Sequence, residues 1–268
     1  MTTVHRAKKR FGQNFLHDPQ VISRLLRAIN PQPSETLVEI GPGLGALTAP
    51  LLTAAGQLDV VEIDEDVLPV LTEACAGRGD LRITRADALT VDYRQFRRPG
   101  EALRLVGNLP YNISSPLLFH LLDQAETIRD MHFMLQKEVV DRICAAPGDD
   151  AYGRLTVSIA VRAEAHALFT VGPGAFRPAP KVDSAIVRLR PRPPPFAVNR
   201  LDTFDRVVTL AFGQRRKQLD LVQKMNRELR ERSGVNDELD GVIESFELAF
   251  RMQGKVPEVM DIKGESQS

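Results

Sequence analysis

A doubly wound α/β fold on a seven-stranded, mostly parallel sheet, with a small helical domain at the C-terminal end, is what this sequence predicts. Three observations predict it. Seven short apolar runs of strand length fall within the first 190 residues. Helical patterns separate most of them, as strands joined by crossover helices require. A glycine turn, Gly41–Gly45, directly follows the first run. That is where a Rossmann-like sheet turns from strand into helix.

The elements follow in order. Leu37–Ile40 (LVEI) is a buried-strand run, and Ala46–Ala55 reads as helix. Leu58–Ile63 is strand-like, Asp66–Ala76 helical and Leu81–Thr84 a short strand. Leu103–Val106 is another strand, ending at Gly107-Asn108-Leu109-Pro110; Ser115–Leu122 reads as helix. Met131–Leu135 is a strand and Glu138–Ala145 a helix. Two β-rich runs, Leu155–Val161 and Ser184–Leu189, come without a full helix between them. They predict an antiparallel addition at one sheet edge. Pro191–Pro195 (PRPPP) reads as a linker, because proline-rich chain is stiff and cannot pair in a sheet. Asp202–Phe212 and Asp220–Glu231 look helical beyond it. The expected division is a domain over residues 1–190 and a small helical one over 197–268.

Composition excludes several classes. The 268 residues are 43% hydrophobic and 26% charged, ordinary for a globular protein. No apolar run reaches about 18 residues, so no membrane span is expected. The basic N-terminus lacks the apolar stretch of a signal peptide, and the expected location is cytoplasmic. Cys75 and Cys144 are too few and too far apart for a disulfide framework or zinc site, and the five histidines do not cluster, so no metal is expected. The formal net charge is zero, but Asn226–Ser268 holds ten acidic and six basic residues, leaving residues 1–225 at +4. Basic residues are grouped at Arg6–Arg10, Arg94–Arg98, Arg188–Arg192 and Arg215–Lys217. Such groups can neutralise phosphates, although any one of them also reads as a solvated face.

Gly41, Gly43 and Gly45 sit between strand and helix in VEIGPGLGALT. Glycines allow positive φ and close approach of a ligand, and the helix start beyond offers unpaired N–H groups. The spacing is G-x-G-x-G, not the dinucleotide fingerprint. Glu62 falls near the end of the next strand, where a carboxylate can accept from both hydroxyls of a ribose. Asp87, after the third strand, is placed to accept from an exocyclic adenine amine. Three features at three successive strand ends describe a nucleoside pocket. NAD and S-adenosylmethionine both satisfy it.

Asn108-Leu109-Pro110-Tyr111 selects the chemistry. The N6 amine of adenine is a poor nucleophile, because its lone pair is delocalised into the ring. Two acceptors on its hydrogens favour a pyramidal nitrogen with a localised pair. The Asn108 side-chain oxygen and the Leu109 carbonyl can serve as those acceptors. Pro110 stiffens the turn. Tyr111 offers a ring on which a base splayed from RNA can stack. A sulfonium donor arrives already activated, so positioning matters more than a strong base.

With these residues the chain resembles the ribosomal RNA adenine dimethyltransferase family, of the small-subunit, KsgA-like type, whose relatives include the Erm resistance methyltransferases. The matching blocks are KKRFGQNFL, VEIGPGLGALT, VEID, GNLPYNISSPLLFHLL, MHFMLQKEVVDRI, YGRLTV and FRPAPKVDSAIVRL, spanning about residues 8–190 in order. The resemblance implies a class I methyltransferase using S-adenosylmethionine and no metal. It implies that Gln13, Asn14 and Leu16 close over the donor, with Gly41, Gly43 and Gly45 around its methionine part. Glu62 then holds the ribose and Asp87 the adenine amine. Asn108 lies between donor and target base, and Phe176 faces Tyr111 across the flipped adenine. The implied reaction dimethylates two adjacent adenosines in a 3′-terminal hairpin of small-subunit (16S) rRNA, on a pre-30S particle, by a monomeric enzyme whose helical domain helps grip RNA. The family pattern is not legible from about Leu219 onward, where Met225–Asp261 instead resembles part of a bacterial sulfatase-like family. Two alternative readings are an Erm-like 23S rRNA methyltransferase and a non-catalytic RNA-binding assembly factor.

Overall fold

The structure is a computed structural model, and it describes residues 7–8, 11–198 and 200–213. The helix expected over Asp220–Glu231, the altered stretch from Leu219 and most of the 197–268 domain lie outside the described residues. The chain divides into two compact units, Met1–Asp141 with Arg162–Pro193, and Arg142–Val161 with Pro194–Ser268.

The first unit begins with β1 (Phe15–Leu16) and α1 (Pro19–Ile29). Sequence reading passed over α1, yet its signals are present. Asp18 caps it by accepting from the Gln20 and Val21 N–H groups, Pro19 opens it, and Leu25 and Ile29 are buried. There follow β2 (Leu37–Ile40), α2 (Thr48–Ala55), β3 (Gln57–Glu62), α3 (Leu68–Cys75), β4 (Asp80–Arg85), β5 (Leu103–Asn108), α4 (Ser114–Leu122), β6 (Ile128–Gln136) and α5 (Lys137–Cys144). These elements match the expected ones to within three residues at either end.

The next expected strand is a helix. Residues Leu155–Val161 alternate apolar and polar, which predicts β; instead α6 spans Arg154–Ala160 and buries Leu155, Thr156, Ser158 and Ile159. That spacing is helical. Thr156 Oγ1 accepts from the Gly153 N–H at 3.0 Å and donates to the Arg142 carbonyl at 2.5 Å, anchoring the first turn. The seventh strand is β7 (Ala163–Val171), followed by β8 (Phe176–Arg177), β9 (Ser184–Pro191) and α7 (Leu201–Gly213). Within the second unit, α6 and α7 pack against one another.

Seven strands form one sheet in the order β4-β3-β2-β5-β6-β9-β7. β4 to β6 run parallel, and β9 and β7 add antiparallel at one edge; the antiparallel addition is as expected, but its first strand is Ala163–Val171 and not Leu155–Val161. Every residue of β2 is buried, as is Leu103–Gly107 of β5, which is why these strands read as apolar runs interrupted by a single charge each, Glu39 and Arg104. The chain leaves β2 toward β3 and β4, then returns to place β5 on the other side of β2. This reversal opens a crevice at the carboxyl ends of β2 and β5, the place where open α/β sheets bind ligands.

Candidate active site

A cavity of about 250 Å³ occupies that crevice. Its walls include Gln13, Asn14, Leu16, Gly41, Gly43, Glu62, Asp87, Asn108, Leu109, Pro110 and Tyr111. These are eleven of the thirteen residues selected from the sequence. Gly45 and Phe176 are the other two, and neither lines the cavity. A Cβ at Gly45 would sit 3.1 Å from Leu71 Cδ1 and 3.2 Å from Ala74 Cβ, so this glycine serves the packing of α3. Phe176 is only 2% exposed and belongs to the hydrophobic core. It pairs with Leu16 where β8 meets β1. The expected placement of Phe176 opposite Tyr111 on an open face is therefore not what the structure shows. A large apolar ring next to a filled core gains more from burial than from exposure.

The N-terminal arm forms one wall. Asn108 Nδ2 donates to the Asn14 carbonyl at 2.9 Å. Gln13 Nε2 donates to Asp64 at 2.7 Å, and the Gln13 side-chain oxygen accepts from the Lys8 N–H at 2.8 Å. Lys8 Nζ lies 2.5 Å from carboxylate oxygens of both Asp64 and Asp66. Burial alone would raise the Asp64 carboxyl, but the Lys8 ammonium and Gln13 amide hold it below the usual range. The arm passes close over the glycine turn. Gly43 has φ +54°, and a Cβ there would come within 3.0 Å of the Phe15 ring. Only glycine combines that backbone angle with that clearance.

Glu62 closes β3. One carboxylate oxygen accepts from the Ile63 and Asp64 N–H groups at 3.0 and 2.9 Å, and the other from Gly43 N–H at 3.2 Å. Its rigid placement at the cavity wall follows from these bonds. Burial pushes its pKa upward, and the three N–H donors only partly offset that. Sequence reading gave no role to Glu39, in β2, which also lines the cavity. Glu39 is 2% exposed, and its Oε2 has no hydrogen-bond partner. Burial, reinforced by the neighbouring Glu62 charge and only partly offset by Thr48, pushes it up to about 8. The signal was available, since a charge inside an otherwise apolar strand demands an explanation. Among the described residues, neither carboxylate has a cation beside it. Each resists ionising alone, and a cationic ligand would stabilise both. This donor set fits a sulfonium compound carrying an ammonium group. Asp87 lies exposed beyond β4, with one oxygen accepting from Leu89 N–H at 2.9 Å.

The Asn-Leu-Pro-Tyr turn leaves the end of β5. Leu109 N–H donates to the Met134 carbonyl of β6 at 3.1 Å, tying the turn to the sheet. With its Nδ2 committed to Asn14, the Asn108 amide has its oxygen left to accept. Gly107 before it is needed for a different reason than a turn. A Cβ there would lie 2.4 Å from the Ile40 carbonyl oxygen of the adjacent strand, so any side chain would push β2 and β5 apart at the cavity floor. Among the described residues, no group of three or more His, Cys, Asp and Glu is placed to hold a metal. Nor is any described helix long and apolar enough to cross a membrane.

A cavity walled by buried carboxylates at the switch point of a class I methyltransferase fold, with the Asn108–Tyr111 turn on its rim, defines the class of this protein. The chain belongs to the family described as ribosomal RNA adenine dimethylase, whose model matches residues 4–251. The matched span takes in most of the stretch where no family motif is legible by eye. Ribosomal RNA small subunit methyltransferase A of Marinobacter nauticus is 54% identical over 240 residues, covering 88% of this chain and 86% of its own. The protein of the same name from Nitrosococcus oceani is 56% identical over 219 residues, covering 81% and 83%. Among solved structures, a dimethyladenosine transferase from Plasmodium falciparum superposes with a TM-score of 0.69 at 30% identity, covering 81% of this chain and 77% of that one. The 23S rRNA methyltransferase ErmE gives 0.64 at 30% identity, covering 83% and 91%.

Proposed function

We propose that this protein transfers methyl groups from S-adenosylmethionine to N6 of two adjacent adenosines in a 3′-terminal hairpin of small-subunit (16S) rRNA, giving N6,N6-dimethyladenosine. The observation that carries the reading is the meeting of the Asn108–Tyr111 turn with a cavity walled by buried carboxylates at the β2–β5 switch point. Glu62 holds the ribose of the donor, Asp87 its adenine amine, and the Gly41–Gly43 turn its methionine part. The donor supplies an electrophilic methyl on a sulfonium. Asn108 Oδ1 and the Leu109 carbonyl accept the two N6 hydrogens, so that the nitrogen presents its lone pair. As the N–C bond forms the S–C bond breaks, the sulfonium becoming the neutral thioether S-adenosylhomocysteine, and the proton on the methylated nitrogen is lost to water while the two oxygens only orient it. Tyr111 stacks on the splayed base.

The partner is a pre-30S particle in the cytoplasm, met by a monomer. The 54–56% identity to small-subunit enzymes, against 30% to the 23S enzyme, favours 16S over 23S rRNA as substrate.

Tritiated methyl transfer into unmethylated small subunits tests this, with mapping of the modified bases. Two dimethylated adenosines near the 3′ end of 16S rRNA are expected. Incorporation into 23S rRNA alone would redirect the assignment to the Erm type. Binding without incorporation would mark an assembly factor.

A further inference from the structure

Tyr111 is held at both ends. Ser114 Oγ donates to its carbonyl at 3.1 Å, and its hydroxyl lies 2.7 Å from Ser184 Oγ. Ser184 is 73 residues away in sequence and completely buried. It opens β9, where it pairs with Gln136 of β6 on one side and Val171 of β7 on the other. Just before it, the Asp183 carbonyl accepts from Lys137 N–H at 2.9 Å. Ser184 is therefore one of the most constrained hydroxyls near the cavity, and it reaches out to a half-buried ring on the cavity wall. Burial raises the Tyr111 hydroxyl above its usual pKa, so the pair stays neutral.

We propose that Ser184 is a positioning residue for methyl transfer: by gripping the Tyr111 hydroxyl it sets the plane of the ring on which the target adenine stacks. A tyrosine ring has two side-chain torsions. Its backbone is fixed by the turn, and a hydrogen bond at the far end removes the remaining freedom. The base must be presented to within a fraction of an ångström for transfer, so a ring free to swing loses rate without losing the ring. With Phe176 in the core, this grip does part of the work that a second open aromatic would have done. The inference rests on Tyr111 being the stacking face in the function proposed above.

The test uses the full chain with unmethylated small subunits. Ser184→Ala should lower kcat/KM for RNA by about tenfold, the scale of one buried polar partner left unmatched. Affinity for S-adenosylmethionine, measured by calorimetry, should move less than about twofold. Tyr111→Phe keeps the ring and removes the same bond. It should fall equally, and the double variant should fall no further than either single one. A hairpin carrying 2-aminopurine at the target position should show weaker stacking quench with both single variants. Full kcat/KM in Ser184→Ala, losses that multiply in the double variant, or a parallel loss of donor affinity would overturn the proposal. If Ser184→Ala does not fold, Tyr111→Phe decides alone, and wild-type activity there is the overturning result. Tyr111→Ala separates the two levels. Full activity in it would remove the stacking reading itself. A large loss in it with none in Tyr111→Phe would remove only the role of Ser184.

Discussion

At the amino ends of β5 and β6 the buried Arg104 guanidinium lies 2.8 Å from Glu35 and 2.9 Å from Asp130, and donates to the Ile29 carbonyl at 2.7 Å. At the carboxyl ends of β2 and β3, a few residues along the same sheet, Glu39 and Glu62 are also buried, yet no cation among the described residues faces them. The first end has its charges matched within the protein, and so serves the fold. The second leaves two carboxyl groups that ionise readily only when a cation completes them, and so is a site. Burying a charge is costly unless it is paired, which makes an unmatched pair of carboxylates on a cavity wall a functional signature.

Four substitutions can break or sharpen this contrast. Arg104→Met should cost on the order of 3 kcal/mol in stability, because Asp130 and Glu35 lose their buried partner and keep only the exposed Arg129, while the Ile29 carbonyl loses its donor. Denaturant titration measures it, and the surviving folded protein should bind the donor normally. A stable Arg104→Met protein would mean that the matched end is not structural after all. Asn108→Ala should reduce kcat about 100- to 1,000-fold, as expected for loss of an acceptor aimed at the reacting group. Donor affinity should stay within a few-fold, and a parallel collapse of donor binding would reassign Asn108 to the donor.

Glu39→Gln should do the opposite of Arg104→Met. The folded pKa of Glu39, about 8, lies above its ordinary 4.5, so between those values the native state binds a proton that the unfolded chain has released. Stability therefore falls as pH rises from about 4.5 to about 8, then levels off. Removing the carboxyl should raise stability near pH 8 by on the order of 2–4 kcal/mol and leave it unchanged near pH 4. Urea unfolding across that range checks it; no gain at high pH would show that Glu39 is already compensated. The smallest effect is expected for Glu62→Gln, with donor Kd about tenfold weaker as charge-assisted bonds become neutral. Equal Kd values by calorimetry would take the ribose role away from Glu62.

Much of the fold was legible because central parallel strands, buried on both faces, appear as mostly apolar runs, broken only by single charges such as Glu39. The Leu37–Ile40 strand and its glycine turn are read directly in this way. Leu155–Val161 misled because its alternation satisfies a strand on paper. The bonds from Thr156 and the burial of Leu155, Ser158 and Ile159 on one face settle it as helix. α1 is legible from Asp18 and Pro19, a capping carboxylate followed by a proline at the first helical position. Glu62, Asp87 and Asn108 line one cavity because each sits at or just beyond a strand end, where chain order alone predicts convergence. Phe176 lies in the core and off the cavity wall, and an aromatic in a motif gives no hint of which way its ring faces.

By itself, then, the order of residues determined the mostly parallel sheet and the placing of Glu62, Asp87 and the Asn-Leu-Pro-Tyr turn at strand ends, since these depend on local patterns and on where successive strands end. Only the tertiary structure decided that Asn14 takes the Asn108 amide from 94 residues away, that Ser184 grips Tyr111, and that Glu39 Oε2 is left without a hydrogen-bond partner. Interactions of that kind join side chains distant in sequence, and their energy depends on burial and geometry that exist only after the sheet has closed around them.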